Sequence, residues 1–320
     1  MTLVFMFPGQ SSCYSGMIDR IAGLRSDLLA PIVEEASAIL GRDLAAQYRE
    51  DNPDAFAKNV DIQVGVFLAN HLFNTFLEAE GIVADRSLGL SLGEWNHVVH
   101  IQALSFREAL PAVEARGRVY DAGPRGMMAS VFPISVEELE EVAARVRDEG
   151  AGIVEVVNLN SPRQQVLSGD RAAIERALAL VEEETFAQAT IIEREVPMHC
   201  STFEPVAERF AEVLRSLTFH PPRLSYMPNR LGEAIASPTA AQWVELLSTH
   251  VSRPVLWQAS IDAILAEDPE AAFVEVGPRK VLYNLLDRKW HKGVRREHVD
   301  STDELDARIG SVLATLREWM

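Results

Sequence analysis

The 320-residue sequence has only two cysteines, Cys13 and Cys200. Two thiols so far apart build no disulfide framework, and neither sits at metal-ligand spacing. Basic residues are in deficit: 30 Lys and Arg face 47 Asp and Glu, a formal net charge of −17, which argues against a nucleic-acid binder. That total still leaves room for a local basic patch that meets an acidic partner. Long hydrophobic runs are missing too. No uncharged apolar stretch reaches 18 residues, so no membrane span is expected. The opening MTLVFMFPGQSS has no basic lead and breaks at Pro8, unlike a secretory leader. Repeats and low-complexity tracts are absent. The expectation is a soluble, cytoplasmic protein.

What is present reads as a globular α/β chain. Apolar residues make up 48% and charged residues 24%, and 320 residues suffice for one large core or a core with a smaller insert. LVFMF (3–7), cut off by Pro8-Gly9, reads as a buried parallel strand followed by a loop. Helical patterns dominate from Ile18 to Glu80, and VGVFLANHLFNTFLEAEG closes at Gly81 as a C-terminal cap would. RSLGL reads as a second strand, helices follow through Tyr120, and DAGPRG marks a boundary. From there the order is strand (MMASVFP), helix capped by Ser135, strand (GIVEVVNLN), strand (QQVLSG), helix and strand (QATIIEREV). This β-α-β-β-α-β rhythm is that of a ferredoxin-like unit. The rest is mostly helical, with one strand-like run, AAFVEVGP, near residue 275. The expected architecture is an α/β-hydrolase-like body with a parallel sheet, residues 1–126 and 197–320, carrying a small ferredoxin-like α+β domain at 127–196.

Three stretches bear chemistry. Gly89-Leu-Ser91-Leu-Gly93 has the form of a nucleophile elbow, a tight strand-to-helix turn that exposes a serine oxygen. The same residues fit a serine in a glycine-bearing loop. The preceding strand, and a following helix with Glu94 in its first turn, suit developing negative charge at the helix N-terminus. Among the eight histidines, His199 stands out. In VPMHCSTFEP it follows the last strand of the insert, where a cleft between domains would lie. A catalytic and a structural role fit that position equally. The others (His71, His97, His100, His220, His291 and His298, with His250 considered below) have no special neighbours and read as surface or core residues. FPGQSS (7–12) turns sharply after a strand and leaves backbone N–H groups free. It reads either as an ordinary turn or as one donor of an oxyanion hole, with the N–H of Leu92 as the other.

In order, FPGQSS, GLSLGEWN, EARGRVYDA, NLNSPRQQVLSG, VPMHC and FVEVGPRKVL resemble the malonyl-CoA:acyl carrier protein transacylase family, and most the free-standing acyltransferases that load polyketide synthases in trans. The resemblance covers almost the whole chain. It implies that Ser91 accepts the acyl group, that His199 is its general base and acid, and that the N–H groups of Gln10 and Leu92 form the oxyanion hole. Arg116 falls where the family's arginine clamps the free carboxylate of malonyl, a bidentate geometry suited to guanidinium; without the resemblance it reads as a solvated helix arginine. The backbone carbonyl that orients the histidine would come from His250, where relatives usually carry Gln or Asn. Asn160 lies in the asparagine-rich strand of the small domain and is expected at the substrate. Leu90 replaces the histidine before the nucleophile, Ser11 and Cys13 replace Gly and Gln, and Met198 is larger than the serine found in many relatives, which disfavours branched acyl groups.

The implied reaction is ping-pong transfer from acyl-CoA to the phosphopantetheine thiol of an acyl carrier protein, with no metal or bound organic cofactor. Docking of that acidic partner is expected at basic residues: the run from Arg279 and Lys280 to Arg296, with Arg163 and Arg253 flanking the cleft. Alternatives are an acyl hydrolase or a specialised acyltransferase working on groups already attached to a carrier protein, and a non-catalytic docking relative. Arg116 favours transfer of a carboxylate-bearing group over the first two; intact Ser91, His199 and Arg116 speak against the third.

Overall fold

A computed structural model describes residues 1–300 and 305–320 of the chain. Its organising strand is β1 (Leu3–Phe7), buried along its whole length. On one side it pairs in parallel with β2 (Arg86–Gly89), and Phe7 lies opposite Gly89. On the other it pairs with the strand Ala272–Glu275, which pairs in turn with Arg295–His298, again in parallel. Both faces of this sheet are covered. Leu3, Phe5 and Phe7 enter one core cluster while Val4 and Met6 enter another, so the continuous apolar run carries two cores rather than an alternating pattern. The helix Asn59–Ala79 supplies much of the larger core and is buried over most of its length. It ends as expected at Gly81, with φ of +78°.

The second sheet is antiparallel and separate. Its strands are β3 (Met127–Phe132), β4 (Val154–Ser161), β5 (Gln164–Gly169) and β6 (Gln188–Glu193), in the spatial order β4-β5-β3-β6. With helices Val136–Asp148 and Arg171–Glu184 between them, this is the split βαβ arrangement. Ser135 caps the first of these helices in a reciprocal capping box with Glu138. The sheet has a core of its own, built around Ala129, Val131, Leu139, Val156, Leu167 and Ile174. From its other face Met128, Val157 and Val166 join the main core. β4 is also tied through backbone to the segment before helix Trp257–Glu267: Val255 N–H donates to Val157 O at 2.8 Å, and Leu159 N–H donates to Val255 O at 3.0 Å.

The strand Arg295–His298, numbered β8 after β7 (Ala272–Glu275), was not expected. It is an edge strand of charged residues, so it lacks the apolar signature of a buried strand. No helix among the described residues is long and apolar enough to cross a membrane.

Candidate active site

β2 delivers the chain directly to the elbow. Ser91 follows it with φ of +53°, a left-handed conformation that a non-glycine residue adopts only when its surroundings impose it. The two flanking glycines are required by space. A Cβ on Gly89 would lie 2.0 Å from the Gly93 carbonyl oxygen, and one on Gly93 would lie 2.0 Å from the Phe7 carbonyl oxygen. Strand, turn and helix Gly93–His100 therefore pack backbone against backbone, and Ser91 is held at the junction.

His199 also has a left-handed backbone, φ +64°, and its N–H is anchored on Val251 O at 2.9 Å. Its Nε2 lies 2.7 Å from Ser91 Oγ, and its Nδ1 lies 2.7 Å from the His250 carbonyl oxygen. A carbonyl can only accept, so Nδ1 carries the proton and Nε2 offers its lone pair to the serine hydroxyl. This is the tautomer a general base needs. Burial, then the nearby His250 and Arg116, hold the imidazole pKa well below its ordinary value. The backbone N–H groups of Gln10 and Leu92 find no acceptor among the described residues.

Arg116 is not a solvated helix residue. It is fully buried; Nη1 donates to Gln63 Oε1 at 2.8 Å, and the guanidinium lies 4.4 Å from the Tyr120 ring centroid. Nε and Nη2 have no partner among the described residues. A buried guanidinium without a carboxylate is an incomplete arrangement, because burying a charge is costly unless it is paired.

A cavity of about 490 Å³ adjoins the dyad. Gln10, Leu90, Ser91, Met198 and His199 line it from the larger body, Asn158 and Asn160 from β4. The Oδ1 atoms of both asparagines are buried and unpartnered among the described residues, two acceptors facing a ligand-sized space. Arg116 is not among the lining residues.

Four expected docking residues separate into two kinds. Arg163 is tied to Asp287 at 2.8 Å and lies over the rings of Phe132 and Trp290; Arg253 is tied to Glu204 at 2.5 Å. Arg279 and Lys280 are exposed, next to Val281, which lines the cavity. Within the basic run, Arg296 is turned to the carbonyls of Tyr283 and Leu286, so the run is not one continuous cationic face.

Sequence reasoning missed Asn229. Its Oδ1 accepts from Ser91 N–H at 2.8 Å and its Nδ2 donates to Gly89 O at 2.6 Å, clamping the elbow from outside. Nothing in MPNR marks it. His97 and His100, read as having no special neighbours, are buried. His97 bridges Ser87 Oγ at 2.7 Å and Met227 N–H at 2.9 Å, and burial lowers its pKa to about 3. His71 stacks on Phe106 with ring centroids 4.1 Å apart.

Residues 4–305 match the family model described as acyl transferase domain. The chain belongs to the acyl transferase family. This acyltransferase is 31% identical over 290 residues to the malonyl CoA-acyl carrier protein transacylase of Salmonella typhimurium, covering 89% of the chain and 91% of the relative. It is 27% identical to the polyketide biosynthesis malonyl CoA-acyl carrier protein transacylase PksC of Bacillus subtilis, over 89% of the chain and 96% of that protein. Its fold superposes on the crystal structure of the malonyl CoA-acyl carrier protein transacylase of Clostridium perfringens with a TM-score of 0.89 and 28% identity, covering 100% of the chain and 98% of the other.

Proposed function

We propose that this acyltransferase moves a malonyl-type group from coenzyme A to the phosphopantetheine thiol of an acyl carrier protein through a Ser91 acyl-enzyme, in polyketide biosynthesis and in the cytoplasm. The observation that carries it is Arg116, a fully buried guanidinium with two nitrogens unpartnered among the described residues, whose charge acts on His199 of a Ser–His pair at 2.7 Å. Such an arginine is completed by a carboxylate on the acyl group.

In the reaction, Nε2 of His199 takes the Ser91 proton as Oγ attacks the thioester carbonyl. The His250 carbonyl holds the imidazolium through Nδ1–H. The oxyanion rests on the N–H groups of Gln10 and Leu92. Protonated His199 then releases the thiol of coenzyme A, the carrier thiol enters, and the same steps run in reverse. Asn158 and Asn160 supply acceptors for the amide N–H groups of the pantetheine arm. Met198 and Leu90 shape the acyl end and favour malonyl over methylmalonyl. No metal or bound organic cofactor takes part in this scheme. Residues 1–126 and 197–320 act as the catalytic body, and 127–196 as the small domain across the cleft. The acidic carrier meets Arg279 and Lys280; Arg163 and Arg253 contribute less because carboxylates already hold them. The likeness to PksC supports the polyketide assignment.

A hydrolase or a loader acting on carrier-bound groups without a carboxylate would use the same Ser–His pair but not Arg116. Intact-protein mass spectrometry after brief incubation with malonyl-, methylmalonyl- and acetyl-CoA separates these readings, with Ser91→Ala as control. A malonyl adduct that is absent in the variant and discharged to a carrier protein supports transfer. Adducts formed only with groups lacking a carboxylate overturn the substrate assigned here.

A further inference from the structure

We propose that Glu94 is a positioning residue for acyl transfer: through the side chain of His250 it presents a negative charge to His199 as that ring takes up the serine proton. This rests on reading Ser91 and His199 as nucleophile and base.

Glu94 sits in the first turn of the elbow helix and is fully buried. Its Oε1 accepts from Tyr226 Oη–H at 2.5 Å and from Asn229 N–H at 3.3 Å. Its Oε2 lies 2.8 Å from Nδ1 of His250, whose side chain is fully buried as well. The connections close into a ring. Asn229, bound to Glu94 through its backbone, holds Ser91 N–H through its side chain. His250, against Glu94 through its imidazole, holds His199 through its backbone carbonyl. One carboxylate thus positions both members of the Ser–His pair.

The tautomer of His250 follows from its surroundings. Both ring nitrogens of His250 are buried and neither makes an aligned hydrogen bond among the described residues, but Nδ1 has Oε2 of Glu94 2.8 Å away whereas Nε2 has no such neighbour. A proton there would be an orphaned donor, whereas a bare lone pair costs less. A ring proton is therefore favoured on Nδ1, facing the Glu94 carboxylate 2.8 Å away. The His250 ring lies against that of His199, with centroids 5.0 Å apart. At this buried position, attraction between the carboxylate and a newly formed imidazolium is less screened than in water. A serine–histidine–aspartate triad puts its carboxylate directly on Nδ1; here a carbonyl occupies that place and the carboxylate stands one imidazole behind. The other titratable or charged groups facing this cluster are Tyr226, a donor held protonated by burial and by Glu94 itself, and the cations Arg116 and Arg230.

Glu94→Gln removes the charge while its amide oxygen can still accept from Tyr226 and Asn229; its amide nitrogen then faces Nδ1 of His250, whose proton moves to Nε2. The readouts are the rate at which a fluorophosphonate labels Ser91, and kcat and KM for malonyl transfer. Labelling requires Ser91 and His199 but no recognition of malonyl. Labelling and kcat should fall by about three- to tenfold, the effect of one pKa unit in a general base. KM should be unchanged, and the acid limb of the labelling rate should move to lower pH. A variant labelled at the wild-type rate with the wild-type pH profile would overturn the proposal. If Glu94→Gln does not fold, two replacements of His250 decide, since both keep the backbone carbonyl. His250→Leu removes the group facing Glu94 and should slow labelling, and His250→Gln, whose amide can donate to Glu94, should recover most of that loss. Equal rates in the two would sink the idea. Wild type that is labelled but takes no malonyl group would remove the proposed substrate and leave this inference standing. Wild type that is not labelled at Ser91 overturns both.

Discussion

Asn229 Oδ1 accepts the backbone N–H of Ser91 at 2.8 Å while its Nδ2 donates to Gly89 O at 2.6 Å. One side chain from a distant loop therefore spans the turn that presents the nucleophile. Asn229→Ala leaves a buried N–H and a buried carbonyl unpaired, which costs about 2–3 kcal/mol of stability. It should also lower the acylation rate more than it raises KM. Denaturant melts combined with single-turnover acylation check this; a loss of stability with an unchanged acylation rate would show that the clamp serves the fold alone.

The two elbow glycines give a test of close packing. Gly93→Ala drives a methyl into the Phe7 carbonyl and should lower stability by at least about 1–3 kcal/mol and abolish Ser91 labelling. Gly23, in the helix Met17–Leu24, has open space around it, so Gly23→Ala should stabilise by roughly 0.5–1 kcal/mol. Melting temperatures of the two variants should move in opposite directions.

His199 works as a neutral base, so activity is lost as pH falls through its pKa in the folded enzyme. Burial, helped by His250 and Arg116, puts that pKa well below the ordinary value of 6.5. The acid limb of kcat/KM should accordingly lie below pH 6.5, with little change from there to neutrality. A limb centred at or above the ordinary value would contradict the environment described for His199.

Acid stability should follow the other buried histidines. Burial lowers the pKa of His97 to about 3, and those of His71 and His100 to about 4 each, from 6.5. Below pH 6.5 the unfolded chain takes up protons that the folded chain refuses. The stability these groups contribute is thus complete above 6.5 and declines as pH falls toward 4. Chemical denaturation at stepped pH should show this decline, shallower in His71→Phe, which replaces a ring stacked on Phe106.

Met198 offers a test of selectivity. It lines the cavity next to His199, and Met198→Ser should raise the methylmalonyl rate relative to malonyl by about tenfold, the usual range for one methyl group. Competition between the two thioesters, read by adduct mass, measures the ratio directly.

Much of this molecule is legible in the chain because it is local. LVFMF, the elbow and the Ser135 cap each announce themselves within a few residues, and the small domain repeats strand and helix periods in order. What escaped is long-range or lies at an edge. Asn229 acts on Ser91 across 138 positions, with no pattern to mark the pairing. Glu94 reads as a helix-start acid, and only folding brings His250 to it. Arg116 carries the spacing of an ordinary amphipathic helix, so its enclosure is visible only in three dimensions. Arg295–His298 looks like part of a basic surface because edge strands carry charge.

The backbone bridge between β4 and Val255 settles which parts of the cleft can move independently. Val255 exchanges two hydrogen bonds with Val157 and Leu159, and five residues earlier the same segment carries the carbonyl that aims His199. If the small sheet swings outward, it must either break those bonds or pull the 250–255 segment after it. While the bridge holds, aperture and base alignment are mechanically geared: widening the cleft without breaking those two bonds shifts the carbonyl that aims His199.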